Sequence, residues 1–284
     1  MKNSFALPVF PVGTGLGNRL FHWCDAKIYC YHTGCQFISP RWCRVALGKY
    51  LRSLAKGQVI SDSLLEYANI FRRLPGDISY QRGIALSLFL SKLQLSKNSE
   101  ALPTSMRPYS VLYFDKSNYT FHGYGKYRSS LTKDIIASIR PHIRDKVLNP
   151  SEAFIGIHVR IGDGFKPPEP GTDGFVRTGW LQQTPIQWFK ETLRFIRKAT
   201  GVNYPVYIFS DGPSTRLKSL LEESNTFIYK SNSPAADLLS LSRSWLILGS
   251  GSSSFSAFAA LYAFRGRGAA SRECSPLRTS PTEE

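Results

Sequence analysis

The back half of the chain alternates between two kinds of short segment, and that alternation narrows the fold more than any other feature. YPVYIFSDG (204–212) reads as a buried strand and PSTRLKSLLEES (213–224) as a helix; TFIYK (226–230) and PAADLLSLSRS (234–244) repeat the pair. WLILGSG (245–251) and SSSFSAFAALYAF (252–264) repeat it again. Strands this apolar, each followed by a helix, belong to a parallel sheet covered on both faces, with any ligand at the carboxyl ends of the strands. Upstream, FIGIHVRIG (154–162) reads as a further strand, joined by the Gly/Pro-rich GDGFKPPEPGTDGF to a helix over TPIQWFKETLRFIRKATG (184–201). Thr184 is its expected N-cap and Pro185 its first helical residue. Ile186, Phe189, Leu193 and Ile196 recur at helical spacing, and Gly201 stops it.

The front half opens with a strand near Phe5–Phe10, a glycine turn, a helix through about His32 and a strand at CQFIS, which make one βαβ unit. The pattern then predicts helices over Leu64–Leu74 and Ile84–Leu95, and short strands at VLYF (111–114) and YTF (119–121). With 284 residues, 42% apolar and 13% aromatic, the chain can bury two modest cores. The expected organisation is α/β, with two Rossmann-type domains over residues 1–150 and 151–264, and a disordered tail over 265–284. The tail, RGRGAASRECSPLRTSPTEE, has almost no apolar content and looks like a frameshifted or truncated end.

Lys and Arg exceed Asp and Glu by 36 to 20, a net charge of +16. Such a field favours polyanions or phosphate-rich small molecules. The cations are scattered and no nucleic-acid motif is present, so nucleic acid is not the expected partner. The longest apolar stretch, GIALSLFL (83–90), is too short to span a bilayer, and Pro8 and Pro11 interrupt any signal-peptide core. The expected location is cytoplasmic, with peripheral contact to anionic membrane. Cys24, Cys30, Cys35, Cys43 and Cys274 match no paired zinc knuckle and read as free thiols of a reducing compartment, with no metal.

Three glycines in VGTGLGNRLFHW (12–23) suggest a nucleotide loop, yet neither standard form fits. A dinucleotide fingerprint needs GxGxxG and an acidic residue about 20 positions on, and a P-loop needs GxxxxGK[ST]. What remains is a tight turn entering a helix, with Gly17 and Asn18 at its mouth. Its backbone N–H groups can face an anion or a sugar, or the glycines can simply let a strand meet a helix.

In FIGIHVRIGD the period of two places Ile155, Ile157, Val159 and Ile161 on one face, with His158 and Arg160 on the other. An arginine at a strand's carboxyl end calls for an anionic ligand or for a core ion pair with Asp163 or Asp237. The serines from Ser250 to Ser254, entering a helix, make either a phosphate site or an ordinary cap. Ser210-Asp211 ends a strand on the same edge.

These residues together resemble the motifs of a known family, the fucosyltransferases with an HxRRxD-type motif. GIHVRIGD resembles that motif, and GLGNRLFHWCDA (15–26) is similar to the GxGNxxFQ opening of the α-1,2-fucosyltransferases, the glycosyltransferase family 11-like members. YIFSDGP is similar to their FSDD strand end, and DLLSLSRSWLILGSGSSSFSAFAA (237–260) to their final motif. The resemblance implies a GT-B-like fold, with an acceptor-side domain (1–150) and a donor-binding domain (151–264) facing a cleft. It also implies an inverting, metal-independent transfer of L-fucose from GDP-fucose to a hydroxyl of an oligosaccharide or other glycoconjugate, with α-1,2 linkage. GDP-fucose would be a substrate, and no cofactor is implied. Carried over by position, Arg160 stabilises the departing GDP, and His158 and Asp237 hold guanine and ribose. Ser252, Ser253 and Ser254 bind phosphate oxygens, while Gly17 and Asn18 line the donor. Asp163 and Glu169 are the candidates for general base. Three departures stand out: Ile161 replaces the second arginine, as in the HLRIG variant of the protein O-fucosyltransferases, Ala257 and Phe258 replace the aromatics after FS, and the tail differs. The alternative is a non-catalytic nucleotide- or glycan-binding remnant of such a transferase.

Overall fold

The computed structural model describes residues 4–11, 14–42, 67, 69–94, 109–115, 121, 123–162, 165–167, 183–251 and 253–263. The front half builds β1 (Ser4–Pro8), α1 (Leu16–Thr33), β2 (Gln36–Phe37), α2 (Tyr80–Phe89), β3 (Ser91–Gln94), β4 (Ser110–Phe114), α3 (Tyr124–Ser138) and α4 (Pro141–Arg144). The back half builds β5 (Ile155–Val159), α5 (Ile186–Thr200), β6 (Val206–Ser210), a 3-10 turn (Ser214–Leu217) running into α6 (Lys218–Leu221), β7 (Thr226–Ile228), α7 (Pro234–Leu241), β8 (Leu246–Gly249) and α8 (Ser254–Tyr262).

Both sheets are parallel, ordered β2-β1-β4-β3 and β7-β6-β5-β8. This is the expected α/β, GT-B-like architecture of two Rossmann-type halves. In each sheet the order reverses beside the first strand of its half, between β1 and β4 and between β5 and β8. Those reversals open a crevice at the carboxyl ends of the strands. In the second sheet His158 pairs in register with Phe209 and Gly249, so the ends of β5, β6 and β8 lie side by side.

Alternation along β5 sorts its side chains as expected. Ile155, Ile157, Val159 and Ile161 join Phe189 and Leu193 of α5 and Leu217 and Leu220 in one core. The opposite face lies under α7 and α8, and the core there runs across the junction of the two halves. Phe209, Leu238, Leu241, Phe258 and Tyr262 pack in one cluster with Phe21, Tyr124, Leu131 and Ile135. Thus α8 follows β8 in the chain but rests on α1 and α3. Phe258 is fully buried, its ring 4.7 Å from Phe21 and 4.9 Å from Phe121. Arg128 of α3 donates to the carbonyls of Leu261 and Ala263 at 2.7 and 2.6 Å, satisfying the free C-terminal end of α8.

Several local expectations need correction. No helix runs through the described part of 64–74: residues 69–74 form turns and an antiparallel bridge from Phe71 to Ile139. Tyr67, Ile70, Phe71 and Leu74 are all buried, so their helical spacing reports burial while the backbone bonds elsewhere, Arg72 N–H to Ser138 O and Arg140 N–H to Ile70 O. The helix expected over 84–95 begins earlier, at Tyr80, and ends at Phe89; Leu90 is extended and the chain continues as β3. Pairing of Lys92 with Val111 of β4 outweighs the helical preference there. Phe121 lies outside any strand, and Tyr119 and Thr120 lie outside the described residues. Pro185, not Thr184, occupies the N-cap of α5, while Gly201 does end it with φ +68°. The 265–284 tail and Cys43 and Cys274 also lie outside the described residues. Cys24, Cys30 and Cys35 are free thiols. No described helix is long and apolar enough to cross a membrane.

If α8 is a working part of the junction, Phe258→Ala should cost about 3–5 kcal/mol. Urea unfolding followed by circular dichroism measures it; a cost below about 1 kcal/mol would mean that α8 is only loosely docked.

Candidate functional site

The site is assembled where β5, β6 and β8 end and α1 and α8 begin. β5 gives way to Arg160, whose backbone N–H donates to Ser250 Oγ at 2.8 Å. Ser250 in turn donates its hydroxyl to the His158 carbonyl at 3.0 Å, and its backbone N–H reaches the same oxygen at 3.0 Å. This serine therefore extends the β5–β8 ladder past the last strand residue and fixes where Arg160 leaves the sheet.

Asp211, just past β6, organises the turn. Its Oδ1 accepts the N–H groups of Ile161 and Gly162, both at 3.0 Å, and its Oδ2 pairs with Arg160 Nη1 at 2.6 Å. A Cβ at Gly162 would lie 2.3 Å from Asp211 Oδ2, so a side chain there would push this carboxylate from its place. The Arg160 guanidinium also sits over the Phe165 ring, 4.9 Å from its centre. Asp211 is its only ionic partner among the described residues. The ion pair that Arg160 makes is thus with Asp211; Asp237, one of the two alternatives to an anionic ligand, is not its partner, and Asp163, the other, lies outside the described residues.

Below this turn, Arg216 donates to the Ile161 carbonyl at 3.1 Å and to Gln183 Oε1 at 2.8 Å. Gln183 donates from Nε2 to the Phe165 carbonyl at 2.6 Å. Its backbone N–H bonds the Lys166 carbonyl at 2.8 Å. Thr184, freed from capping, accepts the Gly251 N–H at 2.9 Å. The two ends of the long β5–α5 connection are thereby pinned beside the loop that follows β8.

The first half contributes the start of α1. Asn18 Oδ1 accepts the Ser254 hydroxyl at 2.8 Å. At Gly17 a Cβ would fall 2.4 Å from Ser254 Oγ and 2.7 Å from the Phe255 nitrogen, so only a bare Cα lets the two helix starts approach so closely. Neither α1 nor α8 has a side-chain cap on its first turn. Two positive helix ends therefore converge.

The structure thus brings Gly17, Asn18, His158, Arg160, Ser253 and Ser254 into one cluster. Asp237 has a partner of its own. It lies in the first turn of α7 and accepts from the Ser231 N–H at 3.1 Å and the Ser231 hydroxyl at 2.7 Å, which fits a helix-start carboxylate. Burial raises its pKa, opposed by those Ser231 hydrogen bonds. Asp163, Glu169 and Ser252 lie outside the described residues. The sequence places Asp211 on this edge without a role, and nothing in it marks Gln183 or Arg216. No group of three or more His, Cys, Asp or Glu side chains suited to a metal occurs among the described residues.

His158 is 5% exposed, its Nδ1 3.3 Å from Ser253 Oγ and its ring 4.9 Å from that of Phe255. Burial lowers its pKa from 6.5 to about 4, against the upward pull of Asp211 and with a further push down from Arg160. The imidazole is therefore neutral at pH 7. Between about pH 6.5 and pH 4 the unfolded chain takes up this proton while the folded chain does not. Stability should fall as pH drops through that window, by about 2–3 kcal/mol at pH ~4.5. Urea unfolding at both ends of the window, with His158→Asn alongside, measures it; equal losses in both proteins would assign the effect to other groups.

No protein-family model and no curated protein matches the chain. Solved structures do. A fucosyltransferase NodZ from Bradyrhizobium is 14% identical, with a TM-score of 0.56 over 91% of this chain and 93% of that one. The NodZ α-1,6-fucosyltransferase soaked with GDP-fucose is 14% identical, with a TM-score of 0.52 over 91% and 92%. POFUT1 in complex with GDP is 11% identical, with a TM-score of 0.51 over 92% and 94%. At such identities the likeness is one of fold: nearly the whole chain shares the two-sheet architecture of these fucosyltransferases.

Proposed function

We propose that this protein transfers L-fucose from GDP-fucose to a hydroxyl of a glycan acceptor, inverting the anomeric carbon in a single displacement without a metal. The observation that carries this reading is the convergence of two uncapped helix N-termini, α1 and α8, at the same strand ends from which Arg160 leaves β5. A diphosphate is the ligand such a corner suits. It presents two negative groups to several backbone N–H donors and one guanidinium. The NodZ structure soaked with GDP-fucose and the POFUT1 complex with GDP share the fold, which supports GDP as the nucleotide and fucose as the sugar.

In the proposed reaction the bond from the fucose anomeric carbon to the β-phosphate oxygen breaks, and the GDP that leaves gains negative charge. Arg160 lies where that charge develops; a fixed donor of this kind is worth about 3–4 kcal/mol. Ser253 and Ser254 supply hydroxyls and helix-start N–H groups to the phosphates, with Ser252 as the neighbouring donor. The neutral His158, with Asp237, contacts the nucleoside. Asp163 or Glu169, on the connection that Gln183 and Arg216 pin, takes the proton from the acceptor hydroxyl. The likeness of GLGNRLFHWCDA to the α-1,2 enzymes supports an α-1,2 linkage. The net charge of +16 suits work in the cytoplasm against an anionic membrane surface.

Calorimetric titration with GDP in the presence of a chelator is the direct test. GDP should bind with micromolar affinity, and Arg160→Ala should weaken it by about tenfold or more. Fucose transfer from GDP-fucose to a panel of glycans should fall about 10²–10³-fold in the same variant. Unaltered turnover in Arg160→Ala would overturn the assignment. GDP binding without transfer to any acceptor would make the protein the non-catalytic nucleotide-binding remnant instead.

A further inference from the structure

Away from the cleft, at the far end of α1, two thiols meet. Cys30 lies on the last turn of the helix and Cys35 just beyond the turn at Gly34, whose N–H returns to the Cys30 carbonyl at 2.8 Å. The two sulfurs are 3.0 Å apart. Cys24, one and a half turns back, is separate and faces the Tyr262 hydroxyl at 3.3 Å. A disulfide needs about 2.05 Å between sulfurs, so closure asks for about 1 Å of approach across a turn the fold already holds.

We propose that Cys30 and Cys35 form a reversible dithiol–disulfide site whose co-reactant is a low-molecular-weight disulfide of the glutathione type. Proton placement agrees with this pairing. The hydrogen bond between the two sulfurs lowers the Cys35 pKa, against burial and with help from Thr33, and raises that of Cys30. Cys35 is thus the sulfur more readily made a thiolate, and the thiolate is the form that attacks. Its sulfur bonds to one sulfur of the small disulfide, whose S–S bond breaks and releases one thiolate. Cys30 then gives up its proton, attacks Cys35 Sγ and expels the second thiol. Two protein thiols are oxidised and one small disulfide is reduced to two thiols, so atoms and electrons balance. No group of the nucleotide cleft takes part, and the site is independent of the proposed transferase reading.

The test uses the full chain, reduced and then equilibrated in glutathione buffers of rising oxidised fraction, quenched with N-ethylmaleimide and digested with trypsin. Lys27 and Arg41 bracket both thiols within one peptide, residues 28–41. That peptide should lose both labels together and become lighter by two hydrogens. It should do so in the folded chain at an oxidised fraction about tenfold lower than in a synthetic peptide of the same residues, because the fold raises the effective concentration of one thiol at the other. Cys30→Ser and Cys35→Ser should each stop at a single label or a glutathione adduct. Full labelling of both thiols in the most oxidising buffer would overturn the proposal. So would a link from this peptide to Cys24, Cys43 or Cys274, or closure no easier than in the synthetic peptide.

Discussion

The close approach of α8 to α1 is the contact on which the rest of the molecule depends. By chain order α8 completes the second sheet, since β8 runs directly into it. By packing it belongs equally to the first half, where Phe258 and Tyr262 fill the core beside Phe21 and Tyr124. A side chain at position 17 would collide with the Ser254 hydroxyl and the backbone that follows. The missing Cβ therefore sets how near the carboxyl edges of the two sheets come, and with it the geometry of the crevice. Buried aromatic surface supplies the attraction, and the Asn18–Ser254 hydrogen bond supplies the register.

That arrangement concentrates positive potential in one place. Two helices begin there without capping side chains, and an arginine enters from the end of β5. Asp211 balances the arginine while also fixing the turn after it, so one carboxylate does both tasks. Burial keeps His158 neutral beside this charge, which avoids stacking a second cation against Arg160 in a desolvated corner.

How much of this could be read from the residues alone follows from the range of the interactions involved. The strand–helix alternation of 154–263 was legible because each element carries its own period and its own stops. The placement of His158 and Arg160 at a sheet edge followed from the period of two along β5. The segment around Ile70 was misread as helix because helical spacing of apolar residues also arises in an irregular strip pressed against a core. The switch from α2 to β3 depends on β4, whose residues pair with it from nineteen positions downstream, which no local window contains. The same reason hides the second layer of the site: Gln183 and Arg216 matter because three loops meet in space, and nothing near either residue marks it.

The division of labour among polar groups sharpens what the site residues are for. Asp237, Ser250 and Asn18 each have hydrogen-bond partners within the fold: Asp237 with Ser231, Ser250 with the end of β5, and Asn18 with Ser254. Their first task is architectural, and any contact with a nucleotide must come from capacity left over. Arg160 differs in kind. A guanidinium carries five N–H donors, and the Asp211 bond uses one nitrogen of three. Here the fork stands half-exposed at the mouth of a crevice, held in orientation by Asp211 and the Phe165 ring. A group oriented by the fold yet not saturated by it can meet charge that appears only when a ligand arrives, and the physical case for a diphosphate in this cleft rests on that property.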